Sequence, residues 1–133
     1  MPVYTVWDNN EHTTVRLNFI GQWTWEECYA AADLGYQMVD SVAHVVDTLI
    51  DMSQSAGLPL LAMTHARNMI ARRHPRSGRT VFVGANPLFV KLWKVFLSAY
   101  RYFSDIETFA FAETAEEARA IFAAQRPSRD NTA

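Results

Sequence analysis

The chain has 133 residues, half of them hydrophobic, 20% charged and 13% aromatic, with a formal net charge of −2 and a pI near 6.0. That length fits one domain around one core, and the slightly acidic balance excludes the strongly basic footprint of a nucleic-acid binder. A single cysteine, Cys28, excludes an internal disulfide and a cysteine-based zinc site.

Residues 3–7 form a short β-prone run. Asp8, Asn9, Asn10 and Glu11 make a turn, because Asn and Asp tolerate left-handed backbone and bond their own main chain. From 13 to 20 the side chains alternate, with Val15, Leu17 and Phe19 on one face and Thr14, Arg16 and Asn18 on the other, which is the pattern of a half-buried strand. The two runs are expected to pair as an antiparallel hairpin that ends at Gly21. Thr24 is placed to cap a helix over 25–41, with Glu26 and Glu27 in its first turn. Cys28, Ala31, Ala32, Gly35, Met38 and Val39 recur at helical spacing, and the small ones let the helix lie close to a sheet. Cys28 itself reads as a small buried hydrophobe.

Residues 45–51 are nearly all apolar, as in a strand covered on both faces. A second helix is predicted over 60–73 and stops at His74-Pro75, since the residue before proline is pushed out of helical geometry. Residues 79–84 read as a fourth strand. Asn86 caps a third helix, Pro87 sits at its first position, and the helix is predicted to run to 103. A fifth strand follows over 106–111, and the capping box from Thr114 to Glu117 opens a last helix that reaches 125. Residues 126–133 are polar and aperiodic and are expected to form a disordered tail after a single domain spanning 1–125. The predicted order, β-β-α-β-α-β-α-β-α, implies an α/β fold with a mixed five-stranded sheet, parallel at its centre, and helices packed on it. No run has the length of a membrane span. The first four residues lack the basic start and apolar core of a secretory signal, so a cytoplasmic protein is expected.

The third helix carries the largest apolar surplus. Its polar residues, Lys91, Lys94, Ser98 and Arg101, fall in one narrow stripe, and Leu92, Phe96, Ala99 and Phe103 lie opposite, where they are expected to face the sheet. Val90, Trp93, Leu97 and Tyr100 widen the apolar arc to roughly 220°, against the ~100° a surface helix needs. A neighbouring helix, a second subunit, a lipid-like ligand or a membrane surface could cover the excess. Trp93, Leu97 and Tyr100 are the candidate self-association face of a homodimer.

Basic residues cluster between His65 and Arg79, and Arg72, Arg73 and Arg76 are candidate anion ligands. The competing reading is cation placement at a helix C-terminus, which the dipole favours. His12, His44, His65 and His74 show no i, i+4 pairing of a helical metal site. His65 could be grouped with Asp51, Ser53 and Ser55 as a hydrolase, but no Gly-x-Ser-x-Gly elbow is present. No phosphate-cradling or dinucleotide glycine pattern occurs either. No catalytic residue, metal or cofactor is therefore expected.

The run Asp51-Met52-Ser53-Gln54-Ser55-Ala56-Gly57-Leu58 ends the third strand and precedes the second helix. With this element order it resembles the STAS domain, and within it the divergent SpoIIAA-like branch. That family includes bacterial anti-sigma-factor antagonists and the cytoplasmic domains of anion transporters. Matching Gly57-Leu58 to the antagonist motif places Ala56 at the phosphoacceptor serine, with Ser55 one residue away and the usual spacer absent. The resemblance implies a non-enzymatic bacterial regulatory or protein-interaction module, in which Asp51, Ser53, Ser55 and Gly57 meet a protein partner or small anion. Two rivals stay open. One is a carrier or sensor of a small apolar, lipid-like ligand, since the divergent branch is grouped with lipid-carrier-like domains. The other is an enzyme of unrecognised class.

Overall fold

The computed structural model describes residues 2–99 and 109–131. Strand β1 (Val3–Trp7) pairs antiparallel with β2 (Thr14–Gly21), with Val3 opposite Phe19 and Trp7 opposite Val15. The Asn9 side chain closes the turn between them by accepting from the Thr13 N–H at 3.0 Å, and the Trp7 and His12 rings stack at 4.2 Å. Helix α1 (Trp25–Asp40) opens on a complete capping box: the Thr24 hydroxyl accepts from the Glu27 N–H, and the Glu27 carboxylate accepts from the Thr24 N–H. Strand β3 (Val46–Ser55) leads to α2 (Ala62–Ala71), and β4 (Ser77–Val83) leads to α3 (Pro87–Ala99). Strand β5 (Phe109–Ala112) and helix α4 (Ala115–Asn131) complete the order.

The five strands form one sheet in sequence order, β1-β2-β3-β4-β5, antiparallel at the hairpin and parallel thereafter. Successive parallel strands that advance in one direction place right-handed crossover helices on one face. Accordingly α1, α2 and α3 cover the face that carries Val15, Leu17, Phe19, Ile50 and Phe82, whereas α4 packs Ala118 and Phe122 on Leu49, Val81 and Val83 of the other face. β3 is central and its Val46 and Leu49 are fully buried, as the apolar run implied.

Three elements depart from the sequence expectation. β3 continues to Ser55 instead of ending at 51, because the long β2 offers it partners, with Ile20 opposite Gln54 and Gly21 opposite Ser55. α2 is shorter than predicted and begins on Leu61, whose backbone is left-handed (φ 66°) and whose side chain caps nothing. Helix α4 runs through Asn131, past the point where the disordered tail was expected to begin.

α1 lies close against β1 and β2, as its small residues predicted. A Cβ built on Gly35 would stand 3.6 Å from Val15 Cγ1 and 3.7 Å from Thr5 Cγ2, which are ordinary contact distances. Since glycine costs about 0.5–1 kcal/mol against alanine inside a helix, Gly35→Ala is expected to stabilise the protein by that amount. A raised urea midpoint with an unchanged slope would be the signature.

Candidate functional site

The interior between the sheet and the three-helix layer is not filled. A cavity of about 190 Å³ lies there. Its floor comes from the even-numbered face of β3, where Thr48, Ile50 and Met52 alternate with residues that point to the other side. Its walls include aromatic and sulfur-bearing side chains, among them Trp23 just before α1, Trp25 at its start, Met69 on α2, Phe82 on β4 and Trp93 on α3. Cys28 also borders it, and burial pushes that thiol up to about 12, so it stays protonated and unreactive. Met63 on α2 and Leu92 on α3, both partly exposed, mark the rim.

The rings brace one another and hold the space open. Phe82 packs against Phe89 at 5.3 Å, Trp93 at 5.1 Å and Phe111 at 5.5 Å between ring centres. On the other side Trp23 meets Phe19 at 4.7 Å and Trp25 at 4.9 Å, both edge-to-face. α2 is tied across this end: His65 stacks on Trp25 at 4.7 Å and its Nδ1 lies 2.7 Å from the Tyr29 hydroxyl, while Trp25 Nε1 donates to the Leu60 carbonyl at 2.8 Å.

The α3 face differs from the sequence expectation. Trp93, assigned to a self-association surface, is buried on Phe82, and Leu92, assigned to the sheet, is 44% exposed. The two are one residue apart, so a rotation of about 100° separates the readings. The larger ring takes the inner position because it buries more apolar surface and finds aromatic neighbours there. Outward-facing apolar residues remain, Leu88, Leu92 and Val95 among them. The side chain of Leu97, and Tyr100 altogether, lie outside the described residues, as does Phe103.

Asp51 and Ser53 of the strand-end cluster are on the opposite face. Asp51 accepts from the Ser53 hydroxyl at 2.6 Å and the Ser53 N–H at 3.0 Å, and pairs with Arg16 at 2.6 Å. Arg16 also approaches Asp8 at 3.6 Å, and Asp8 receives a two-pronged contact from Arg119 of α4, both bonds at 2.9 Å. Ser53 is exposed beside Gly84, which has positive φ (64°) and whose missing Cβ would come within 2.7 Å of Ser53 Cβ. Ser55 accepts from Trp23 Nε1 at 2.9 Å and donates to the Gly57 carbonyl at 3.0 Å. Asp51, Ser53 and Ser55 therefore sit within the strand. They are not on the bend that opens α2, whose first residue, Ala62, comes well after Ser55. Gly57, at φ 134°, lies in the connection itself.

The remaining candidates are engaged in holding elements together. Arg72 pairs with Asp33 of α1 and lies over the Tyr29 ring. Arg73 donates to the Gly78 carbonyl at 2.6 Å. Arg76 donates to the Val39 and Val42 carbonyls, both at 2.9 Å, at the C-terminal end of α1. The Arg76 contacts are of the helix-end kind in the competing reading, but they are supplied to α1 and not to α2. His65 is on the three-helix side and Asp51 on the other, so the hydrolase grouping is not assembled. No set of His, Cys, Asp and Glu among the described residues could hold a metal ion, and no described helix is long and apolar enough to cross a membrane.

No family model and no curated protein matches the chain. Among solved structures it is similar to an uncharacterised protein of the DUF3478 family with a SpoIIAA-like fold, from Shewanella loihica PV-4. That protein is 18% identical, with a TM-score of 0.60 over 89% of this chain and 90% of the other. The fold is SpoIIAA-like, as the strand-end resemblance implied.

Two carboxylates of the Arg16 cluster are held below their ordinary values. Asp8 is lowered chiefly by its hydrogen bonds from Arg119; for Asp51, burial pulls upward but is outweighed by hydrogen bonds from Ser53 and by Arg16. A carboxyl lowered in the folded state adds stability that is complete above its unfolded pKa, about 4, and is lost as pH falls through the folded value. Urea resistance is therefore expected to fall below about pH 4. Asp8→Asn should cost about 1–2 kcal/mol at pH 7 and flatten the acid limb. An equally steep acid limb in the variant would count against the cluster as its source.

Proposed function

We propose that this chain is a non-enzymatic binding module whose interior cavity holds a small apolar molecule, so that it serves as carrier or sensor of that molecule. The observation that carries this reading is the 190 Å³ space between the sheet and α1, α2 and α3, walled by rings and methyl groups. Apolar side chains that line a pocket of that size lack dispersion partners on one side until a guest fills it. Filling it with a ligand recovers dispersion contacts. The cavity also accounts for much of the unusual aromatic content, which a well-packed core of this size does not require.

Titration calorimetry with toluene tests the proposal, and saturable binding at one site per chain is the expected result. Ala66 borders the cavity from α2 and is buried. Ala66→Leu should weaken toluene binding by about tenfold or more while leaving the melting temperature no lower than that of the parent, since the new side chain occupies the void. Tight toluene binding to Ala66→Leu, or none to the parent, would overturn the reading.

A further inference from the structure

The cavity is not uniformly apolar. Thr48 and Thr80 face each other across β3 and β4 in register and both border it, with Thr80 only 7% exposed. Tyr36 of α1 and Arg73, just after α2, border the same space. The Arg73 guanidinium lies 5.5 Å from the centre of the Phe109 ring, which also lines the cavity. Among the described residues no hydrogen-bond partner engages the hydroxyls of Tyr36, Thr48 or Thr80, and none of the three is among the side-chain groups sealed away without contact. Burial raises the Tyr36 phenol above its ordinary value, with nearby arginines opposing that rise, so it is a neutral donor at physiological pH. Hydroxyls that keep accessible surface and have no protein partner are open to an incoming hydrogen bond. Three around one space mark a place where a polar atom of a guest would be received.

Volume narrows the guest further. About 190 Å³ lies below the range of drug-sized sites, roughly 300–1,000 Å³, and just above an engineered cavity of about 150 Å³ that binds benzene. A long acyl chain has well over twice benzene's carbon count and would not be contained in that volume. Flat rings also complement the aromatic walls through stacked and edge-to-face contacts.

Resting on the proposed binding function, we infer that the ligand is a compact, single-ring aromatic molecule carrying one hydrogen-bonding group, with its ring among Trp23, Phe82 and Trp93 and its polar atom at Thr48, Thr80 and Tyr36. The polar end sets which ring compound is preferred; the ring-lined remainder sets its size.

The test compares toluene, p-cresol and palmitate by titration calorimetry on the full chain and on Thr80→Val, with Tyr36→Phe as a second variant. Valine has nearly the shape of threonine and suits a strand, and near-UV circular dichroism reports whether each variant keeps its aromatic packing. In the parent, p-cresol and toluene should both bind more tightly than palmitate. The ratio of p-cresol to toluene affinity should fall about fivefold in Thr80→Val or in Tyr36→Phe, the worth of one hydrogen bond. Palmitate binding more tightly than the ring compounds would overturn the assignment of ligand size. An unchanged affinity ratio in both variants would overturn the polar anchor. Failure of all three compounds to bind the parent would instead remove the binding function on which the inference rests.

Discussion

Parallel pairing along both edges of β3 is the constraint on which the rest of the molecule depends. With β2 on one side and β4 on the other, the strand cannot rotate or slip without breaking two ladders, so its side chains are sorted strictly between two faces. Thr48, Ile50 and Met52 are delivered to the cavity, while Leu49, Asp51 and Ser53 are delivered to the face shared with α4. The buried Asp47 carboxylate accepts from the Arg79 N–H at 2.9 Å, next to the irregularity in β3–β4 pairing between Val46 and Thr48. Such a buried acceptor helps to hold that register.

The two faces answer different physical demands. On the α4 face, alanine and phenylalanine pack directly on valine and leucine, and the charged chain from Arg119 through Asp8 and Arg16 to Asp51 ties the hairpin and the central strand to the last helix. On the other face, α1 approaches the hairpin closely through Ala31, Ala32 and Gly35, α2 turns Ala66, Met69 and Ile70 inward, and α3 reaches the sheet through Phe89 and Trp93. The space follows from that mismatch in helix standoff. A small-residue helix and a helix faced with large rings cannot rest on one sheet at one height.

The order of elements was legible because each rests on local chemistry that survives folding. The alternation from Val15 to Phe19, the Thr24–Glu27 box, the Asn86-Pro87 start and the Thr114 cap, whose hydroxyl accepts from the Glu117 N–H at 3.2 Å, all act within a few residues. The extent of β3 was not legible, since its last residues are held in the sheet by β2, a partner distant in sequence. The rotation of α3 was hidden for a similar reason. With an apolar arc that wide, several inner faces satisfy the periodicity, and the aromatic cluster around Phe82 selects among them. The cavity had no sequence signature beyond an excess of rings, because a void is a property of what several elements fail to fill. The pairing of Thr48 with Thr80 likewise required the sheet register, even though both residues stood in predicted strands.

The close approach of Gly84 to Ser53 has a historical consequence. The backbone at 84 is left-handed, and the place a side chain would occupy already belongs to Ser53. Two separate penalties therefore guard one position, and shortening residue 53 to glycine would relieve neither, since the Ser53 Cα already stands 3.0 Å and its N 3.3 Å from the same place. In any lineage descended from this chain, position 84 should stay glycine while position 53 wanders only among the smallest residues. Within that pair, diversity is open to one member alone.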